Sequence, residues 1–457
     1  MTYSNKIERF NQLRDEYISF HYTNYKYIIN NKTLILTYIY NLKNSDTHKS
    51  DSFTHSIEIP LLDENIVVQE FETAIFHIGL VECINYWKIA APKKLIIECG
   101  NINDEQKIWF KKLFFRGLSE YLFVNQIIID EKDLFEFVIE SDKEHKLITS
   151  ETQDRCMIPI GGGKDSLVTY EILKQAFEDN YIFSINPIKA SQAILEENQN
   201  NAITLKRKLD LEKILDYNAK KYLNGHIPFS SIVGFISILL GLIYKSKYIA
   251  LSNEASANEG NIEFNNIEVN HQYSKSLEFE NDFRWYIENY VTKNVKYFSF
   301  LRPLDEITIG KLFAYNHKYF DIFLSCNVGS KKNEWCSQCP KCLFTYLMLC
   351  NYIDHEDMVK IFGKNLLESR ILENEFINLT QSDKVKPLEC VGTYDEVNYA
   401  VSLKIDSYKK ANKSLPYLLS IYQQEKKVYD FVIDFEHNNN LEDKFKKILK
   451  EYVAKVN

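Results

Sequence analysis

The feature that most constrains this chain is a run of three glycines between an apolar stretch and an amphipathic one. Cys156-Met157-Ile158-Pro159-Ile160 reads as a buried strand, Gly161-Gly162-Gly163-Lys164-Asp165-Ser166 follows, and a helix is predicted from Ser166 or Leu167 to about Glu178. Glycines directly after a strand let the backbone turn tightly and bare its N–H groups. A helix starting there points its unpaired N–H groups and positive dipole end at the same spot. That spot suits an anion. Lys164 adds a positive charge, and Asp165, badly placed beside a bare phosphate, suits a share in Mg²⁺ binding. The competing reading is an ordinary strand-to-helix turn with a Ser or Asp cap. The loop is not a Walker A, because Lys164 is followed by Asp and the glycine spacing differs.

Around this loop the pattern alternates. A second strand is predicted at Tyr181 to Ile185, a core helix at Phe229 to Tyr244, and a strand at Tyr248 to Leu251. Strands alternating with helices imply a parallel sheet covered on both faces. Upstream, short runs such as residues 33–38 and 94–99 indicate an α+β N-terminal domain over residues 1–150, with a polar boundary between Asp142 and Asp154. Residues 151–350 form the expected α/β domain. Residues 351–457 read as mostly helical, interrupted by a loop from Lys386 to Thr393.

Composition removes several function classes. At 457 residues there is room for two or three domains, and 45% apolar with 14% aromatic residues excludes a disordered chain. A net charge of -8 offers nothing general to a polyphosphate backbone, so a small-molecule substrate is expected rather than nucleic acid. The Phe229 to Tyr244 stretch carries three serines and, at about 16 residues, is short for a bilayer span. Met1 to Phe10 has no secretory pattern. No membrane insertion is expected, and nothing sets an oligomeric state.

The nine cysteines are an odd number, and Cys326, Cys336, Cys339 and Cys342 are separated by only nine, two and two residues. That pattern fits a reduced, cytoplasmic protein with four thiolates around one structural Zn²⁺ better than a disulfide framework. Free core cysteines are the alternative. Other candidates carry substrate contacts. His226, in Asn224-Gly225-His226-Ile227-Pro228, faces a ligand or caps a turn. Glu254 and Asn258 follow the carboxyl end of a predicted parallel strand, where such sheets bind ligands; a solvated loop is the alternative. Arg302 brings a guanidinium to phosphate or carboxylate, or makes a surface ion pair. Cys390 lies in a polar turn with Gly392, Thr393 and Glu396, or is an inert buried thiol.

The glycine loop resembles the Ser-Gly-Gly-x-Asp-Ser loop of PP-loop ATP pyrophosphatases, which implies the adenine nucleotide alpha hydrolase-like fold, ATP with Mg²⁺, and cleavage between the α and β phosphates. Gly161 stands where that family usually has Ser, so one side-chain hydrogen bond to pyrophosphate is lost or supplied elsewhere. The cysteines resemble the zinc site of 7-cyano-7-deazaguanine synthases, but that family's glycine-rich and arginine features are missing. Taken with Arg207, the His226 segment, Ser252-Asn253-Glu254 and Lys386-Pro387 through Gly392-Thr393, the chain is similar from Asp154 to Glu396 to UDP-N-acetylmuramoyl-L-alanyl-L-glutamate epimerases.

That resemblance implies adenylation of a terminal L-glutamate on a UDP-linked muramoyl peptide and its conversion to D-glutamate. Gly161, Gly162, Gly163 and Ser166 would hold pyrophosphate, Asp165 would place Mg²⁺, and Lys164 would offset charge. Asn258 and Arg302 would contact the nucleotide, and His226, Glu254 and Cys390 are the candidate bases. The rival readings are a PP-loop ligase or nucleoside- or tRNA-modifying enzyme, and a nucleotide-binding regulatory protein without turnover.

Overall fold

A computed structural model describes residues 3–424 and 433–456. The ends of the first and last expected domains at residues 1–2 and 457, and residues 425–432, lie outside the described part. The strands are β1 (Tyr17–Asn30), β2 (Thr33–Asn44), β3 (Asp51–Pro60), β4 (Lys94–Ile97), β5 (Glu136–Ile139), β6 (Gln153–Pro159), β7 (Tyr181–Ile185), β8 (Ala202–Lys208), β9 (Ser246–Leu251), β10 (Ile262–Phe264), β11 (Ile267–Val269) and β12 (Lys296–Ser299). The protein is mixed α/β. It divides into two compact units, the first Met1–Met157, Ile203–Ile249 and Glu263–Tyr297, the second Ile158–Ala202, Ala250–Ile262 and Phe298–Asn457.

In the first unit β1, β2 and β3 form an antiparallel meander, β8 adds antiparallel to β3, and β4 and β5 add parallel beyond β1. The β1–β2 hairpin closes through Asn31 and Lys32, both at positive φ of 48° and 54°, the backbone that matches the right-handed twist of the strands. β2 alternates strictly between buried and half-buried residues, as one covered face requires. Its buried tyrosines need partners for their hydroxyls. Tyr38 and Tyr40 donate to the carbonyls of Ile75 and Gly79 at 3.2 and 2.8 Å, on the helix Glu72–Glu82. That helix, buried from Thr73 to Glu82, packs against the helix Phe229–Ile243. The predicted core helix is therefore found, and among the described residues no helix is long and apolar enough to cross a membrane.

The strand order β12-β9-β6-β7, with β6 and β9 parallel, carries the alternating part of the chain. The carboxyl ends of these strands, at Ser299, Leu251, Pro159 and Ile185, belong to the second unit. Helices Lys164–Ala176 and Glu306–Ala314 pack together there. The helices Pro340–Leu349, His355–Phe362, Glu373–Thr380, Tyr394–Lys410 and Asp443–Val456 complete the unit. The helical reading after Cys350 agrees with this.

Candidate active site

Ile160 is the last residue tied to the sheet, its N–H donating to the Phe183 carbonyl at 2.7 Å. The chain then turns. The helix begins at Lys164, two residues earlier than expected, because Gly163 and not a Ser or Asp is the cap. Gly163 has extended backbone and no side chain to bond the first turn, so that turn's N–H groups keep their claim on an outside anion. Gly162 sits at φ +89° with its carbonyl accepting from Leu324 N at 2.9 Å. A Cβ there would meet Ala190 Cβ at 2.8 Å and Ser191 N at 3.0 Å, whereas a Cβ on Gly161 would meet nothing within 4 Å. The turn is thus braced behind and open in front. Gly162→Ala is expected to destabilise the protein by about 2 kcal/mol or more, from left-handed strain plus the clash. Gly161→Ser, which puts a small side chain into the open side of the turn, is expected to stay within about 0.5 kcal/mol. Thermal midpoints check both, and equal losses at the two positions would contradict the geometry.

Lys164 is only 4% exposed. Its ammonium is gripped between the carboxylates of Asp165 and Glu306. Burial would lower its pKa, but the two carboxylates overcome that and hold it above the ordinary lysine value. Glu306 is the first residue of its helix, which Asp305 caps by accepting from Thr308 N at 2.7 Å. The Glu306 N–H donates to Glu396 Oε1 at 2.8 Å, and Glu396 Oε2 also accepts from Thr393 N at 2.6 Å. Burial, with Asp165, Glu254 and Glu396 nearby, pushes the Glu306 carboxyl well above the usual range against the pull of Lys164.

The polar turn expected around Thr393 and Glu396 is a capping box opening the helix Tyr394–Lys410, in which each residue satisfies a backbone N–H of the other. Burial pushes the Glu396 carboxyl from 4.5 up to about 7, against those N–H bonds. The folded chain therefore keeps a proton that the unfolded chain has released. The associated stability is whole below pH 4.5 and lost as pH rises through about 7. At about 1.4 kcal/mol per pH unit this is on the order of 3 kcal/mol. Glu396→Gln, which keeps one oxygen for the Thr393 N–H but turns an amide donor toward the Glu306 N–H, is expected to lower the thermal midpoint and to flatten its fall between mildly acidic and mildly alkaline buffer. An unaltered pH profile would refute the assignment.

The other candidates fall into place around these groups. Arg302 is 2% exposed and no surface ion pair; its guanidinium donates to the Glu254 carbonyl at 2.6 Å and to Ser299 Oγ at 3.2 Å. Glu254 is 5% exposed and does not lie on a solvated loop. Asn258 is exposed at the end of the same segment, where Lys386 pairs with Glu259 at 2.9 Å and Asn261 donates to the Pro387 carbonyl at 2.7 Å. Cys390 is half-buried in the loop before Thr393. His226 and Arg207 belong to the first unit. Arg207 makes a two-pronged pair with the fully buried Glu82, at 2.7 and 2.6 Å. His226 stands beside His271 and Glu120. Sequence reasoning missed Glu306, whose signal was a Pro303-Leu304-Asp305-Glu306 helix start, and it missed Glu120 and His271, which carry no local signal.

The four clustered cysteines converge. The sulfurs of Cys326 and Cys339 are 3.9 Å apart, those of Cys336 and Cys342 3.7 Å, and those of Cys339 and Cys342 3.5 Å. Four thiolates about 2.3 Å from a tetrahedral ion lie about 3.8 Å from one another, so the spacing fits a metal. Cys339 caps the helix Pro340–Leu349, with Pro340 at its first position. Trp335 packs between Phe323 and Phe362 at ring separations of 5.2 and 4.7 Å. Ser325, just before Cys326, lies 3.3 Å from where a Gly163 Cβ would be. The knuckle and the glycine turn are therefore mechanically joined.

These features place the candidate site at the carboxyl ends of strands, as in open α/β proteins generally. The chain belongs to the MurL family: residues 11–300 match the MurL N-terminal domain and residues 322–429 the MurL C-terminal domain. Three relatives are each named UDP-N-acetyl-alpha-D-muramoyl-L-alanyl-L-glutamate epimerase. The protein from a Micromonospora species is 31% identical over 77% of this chain and 79% of its own length. Those from Xanthomonas oryzae pv. oryzae and Salinispora tropica are each 30% identical, over 73% and 77% of this chain and 74% and 78% of their own lengths.

Proposed function

We propose that this chain is a peptidoglycan-precursor isomerase that activates the terminal L-glutamate of UDP-N-acetylmuramoyl-L-alanyl-L-glutamate with ATP and inverts its Cα. The observation that carries the substrate is the shared name of the three relatives at 30 to 31% identity. What supports activation by ATP is the glycine turn, open at Gly161 and backed by Lys164, Asp165 and Glu306. A Cα proton beside a carboxylate resists removal because the carbanion forms next to existing charge. In this reading a glutamate carboxylate oxygen attacks the α phosphorus of ATP and pyrophosphate leaves. The acyl group so made acidifies the Cα–H bond, a base takes the proton, and reprotonation occurs from the other face. Water then releases AMP and the D-glutamyl carboxylate.

Gly161, Gly162, Gly163 and Ser166 would cradle pyrophosphate, and Lys164 would offset its developing charge. Asp165 would help hold Mg²⁺, which when bound neutralises phosphate charge. Asn258 would face the ribose, and Arg302 would fix the Glu254 segment beside the nucleotide. Cys326, Cys336, Cys339 and Cys342 would hold a structural Zn²⁺. Glu254 and Cys390, which share the second unit with the glycine turn, are the proposed bases; the variant that retains pyrophosphate release yet stops α-deuterium exchange identifies the one that acts.

Incubation of the protein with ATP, Mg²⁺ and the UDP-linked L-glutamyl precursor in D₂O tests the whole reading. Pyrophosphate and a D-glutamyl product deuterated at Cα are expected. An amide or thio product would instead indicate a PP-loop ligase, and ATP left intact with this substrate would overturn the proposal.

A further inference from the structure

We infer that the first unit contains a second metal site, a two-histidine, one-carboxylate site for a first-row divalent cation formed by Glu120, His226 and His271. The three come from segments far apart in sequence, yet one ligating atom from each lies within 4.8 Å of the others. His271 Nδ1 is 2.5 Å from Glu120 Oε2, and the side chains are only 12% and 13% exposed. The rings of His226 and His271 are 4.1 Å apart, centre to centre. Two imidazoles and one carboxylate with ligating atoms this close together are a set that suits zinc, manganese, cobalt or iron and leaves further positions open.

The surroundings hold these groups in place. Glu120 lies on the helix Ser119–Val124. Ser119 Oγ accepts from Asn270 N at 3.3 Å, fixing the residue before His271. On the other side the Asn224 carbonyl accepts from Asn125 Nδ2 at 2.9 Å. Gly225 packs closely on the same helix, where an added Cβ would stand only 3.1 Å from Tyr121 Cα. Such support outside the ligands is what orients them in metal sites. Lys88 and Lys275 are the ammonium groups whose charge reaches His226. Of the two ammonium groups, Lys88 is turned onto Asn224 Oδ1 at 3.2 Å and the Gly225 carbonyl, and the Glu120 carboxylate opposes their charge.

The test uses the full chain with zinc already in its cysteine cluster, titrated with Co²⁺ alone. One equivalent of Co²⁺ is expected, with paramagnetically shifted, exchangeable imidazole N–H proton signals that thiolate or carboxylate sites do not give. His226→Gln and His271→Gln should each remove those signals and weaken Co²⁺ binding about tenfold or more, since even an outer-shell partner costs that much. Glu120→Ala supplies the same reading if a histidine variant does not fold. Absence of shifted imidazole signals in the parent, or Co²⁺ affinity unchanged in the folded variants, overturns the inference. Neither readout depends on ATP or on epimerase turnover.

Discussion

Asp165→Asn is expected to reduce pyrophosphate release by about a hundredfold or more, the scale on which single groups that stabilise developing charge act, while leaving the fold intact. The two halves of that expectation rest on different observations. The Asp165 side chain is 34% exposed while Lys164 and Glu306 are each 5% exposed, so Asp165 is the member of the triad open to a ligand, and in the proposed reading it is the one that would meet the nucleotide and its metal. Asparagine keeps its size. Lys164 also keeps Glu306, and a pair with an exposed partner contributes at most about 1 kcal/mol. The thermal midpoint should therefore move little as turnover collapses. Turnover near that of the parent would remove Asp165 from the site and with it the assignment of the glycine loop.

How much of this was legible in the sequence depended on how local the cause was. β7 lies at Tyr181–Ile185, as its apolar run between turn signals predicts, and the core helix at Phe229–Ile243 ends one residue short of expectation. The helix after the glycines started early because Gly163, with no side chain, can still take a cap's extended backbone. The β1–β2 hairpin was harder to see. Its turn uses Asn31-Lys32 at positive φ, and a lysine there lacks the glycine that usually marks such a turn. The candidate site divided the same way. Its glycine loop is contiguous and announced itself, whereas Glu306 meets Lys164 from 142 residues away, and only the packing of the helices Lys164–Ala176 and Glu306–Ala314 brings them together. Glu120, His226 and His271 are more extreme, since no spacing rule connects them. Arg302 shows the limit of a local reading: the guanidinium expected either at a phosphate or carboxylate or in a surface ion pair is buried, and two of its bonds go to the Glu254 carbonyl and Ser299 Oγ.

Cys342→Ser should have the largest effect on stability. Cys342 is fully buried in the first turn of the helix Pro340–Leu349, with its sulfur 3.5 and 3.7 Å from those of Cys339 and Cys336. Serine fits the space but cannot supply a thiolate. Zinc bound by such a set contributes about 10 to 16 kcal/mol of apparent binding free energy, as much as the entire net stability of a typical domain, about 5 to 15 kcal/mol. Metal content should fall by one equivalent and the second unit should unfold far below the parent's midpoint. The damage should also reach the glycine turn, because Leu324, two residues before Cys326, donates its N–H to the Gly162 carbonyl at 2.9 Å. Loss of the knuckle frees that strut, so a strong chelator added to the parent should weaken ATP binding as well as lower the midpoint. Cys350→Ser is the control: Cys350 is buried at the far end of the same helix, its thiol bonded to the Leu347 carbonyl at 3.5 Å and outside the cluster. Its metal content should match the parent's. A Cys342→Ser protein that retains its full zinc and the parent's midpoint would mean that the four sulfurs meet as packed thiols, and that the glycine turn stands without them.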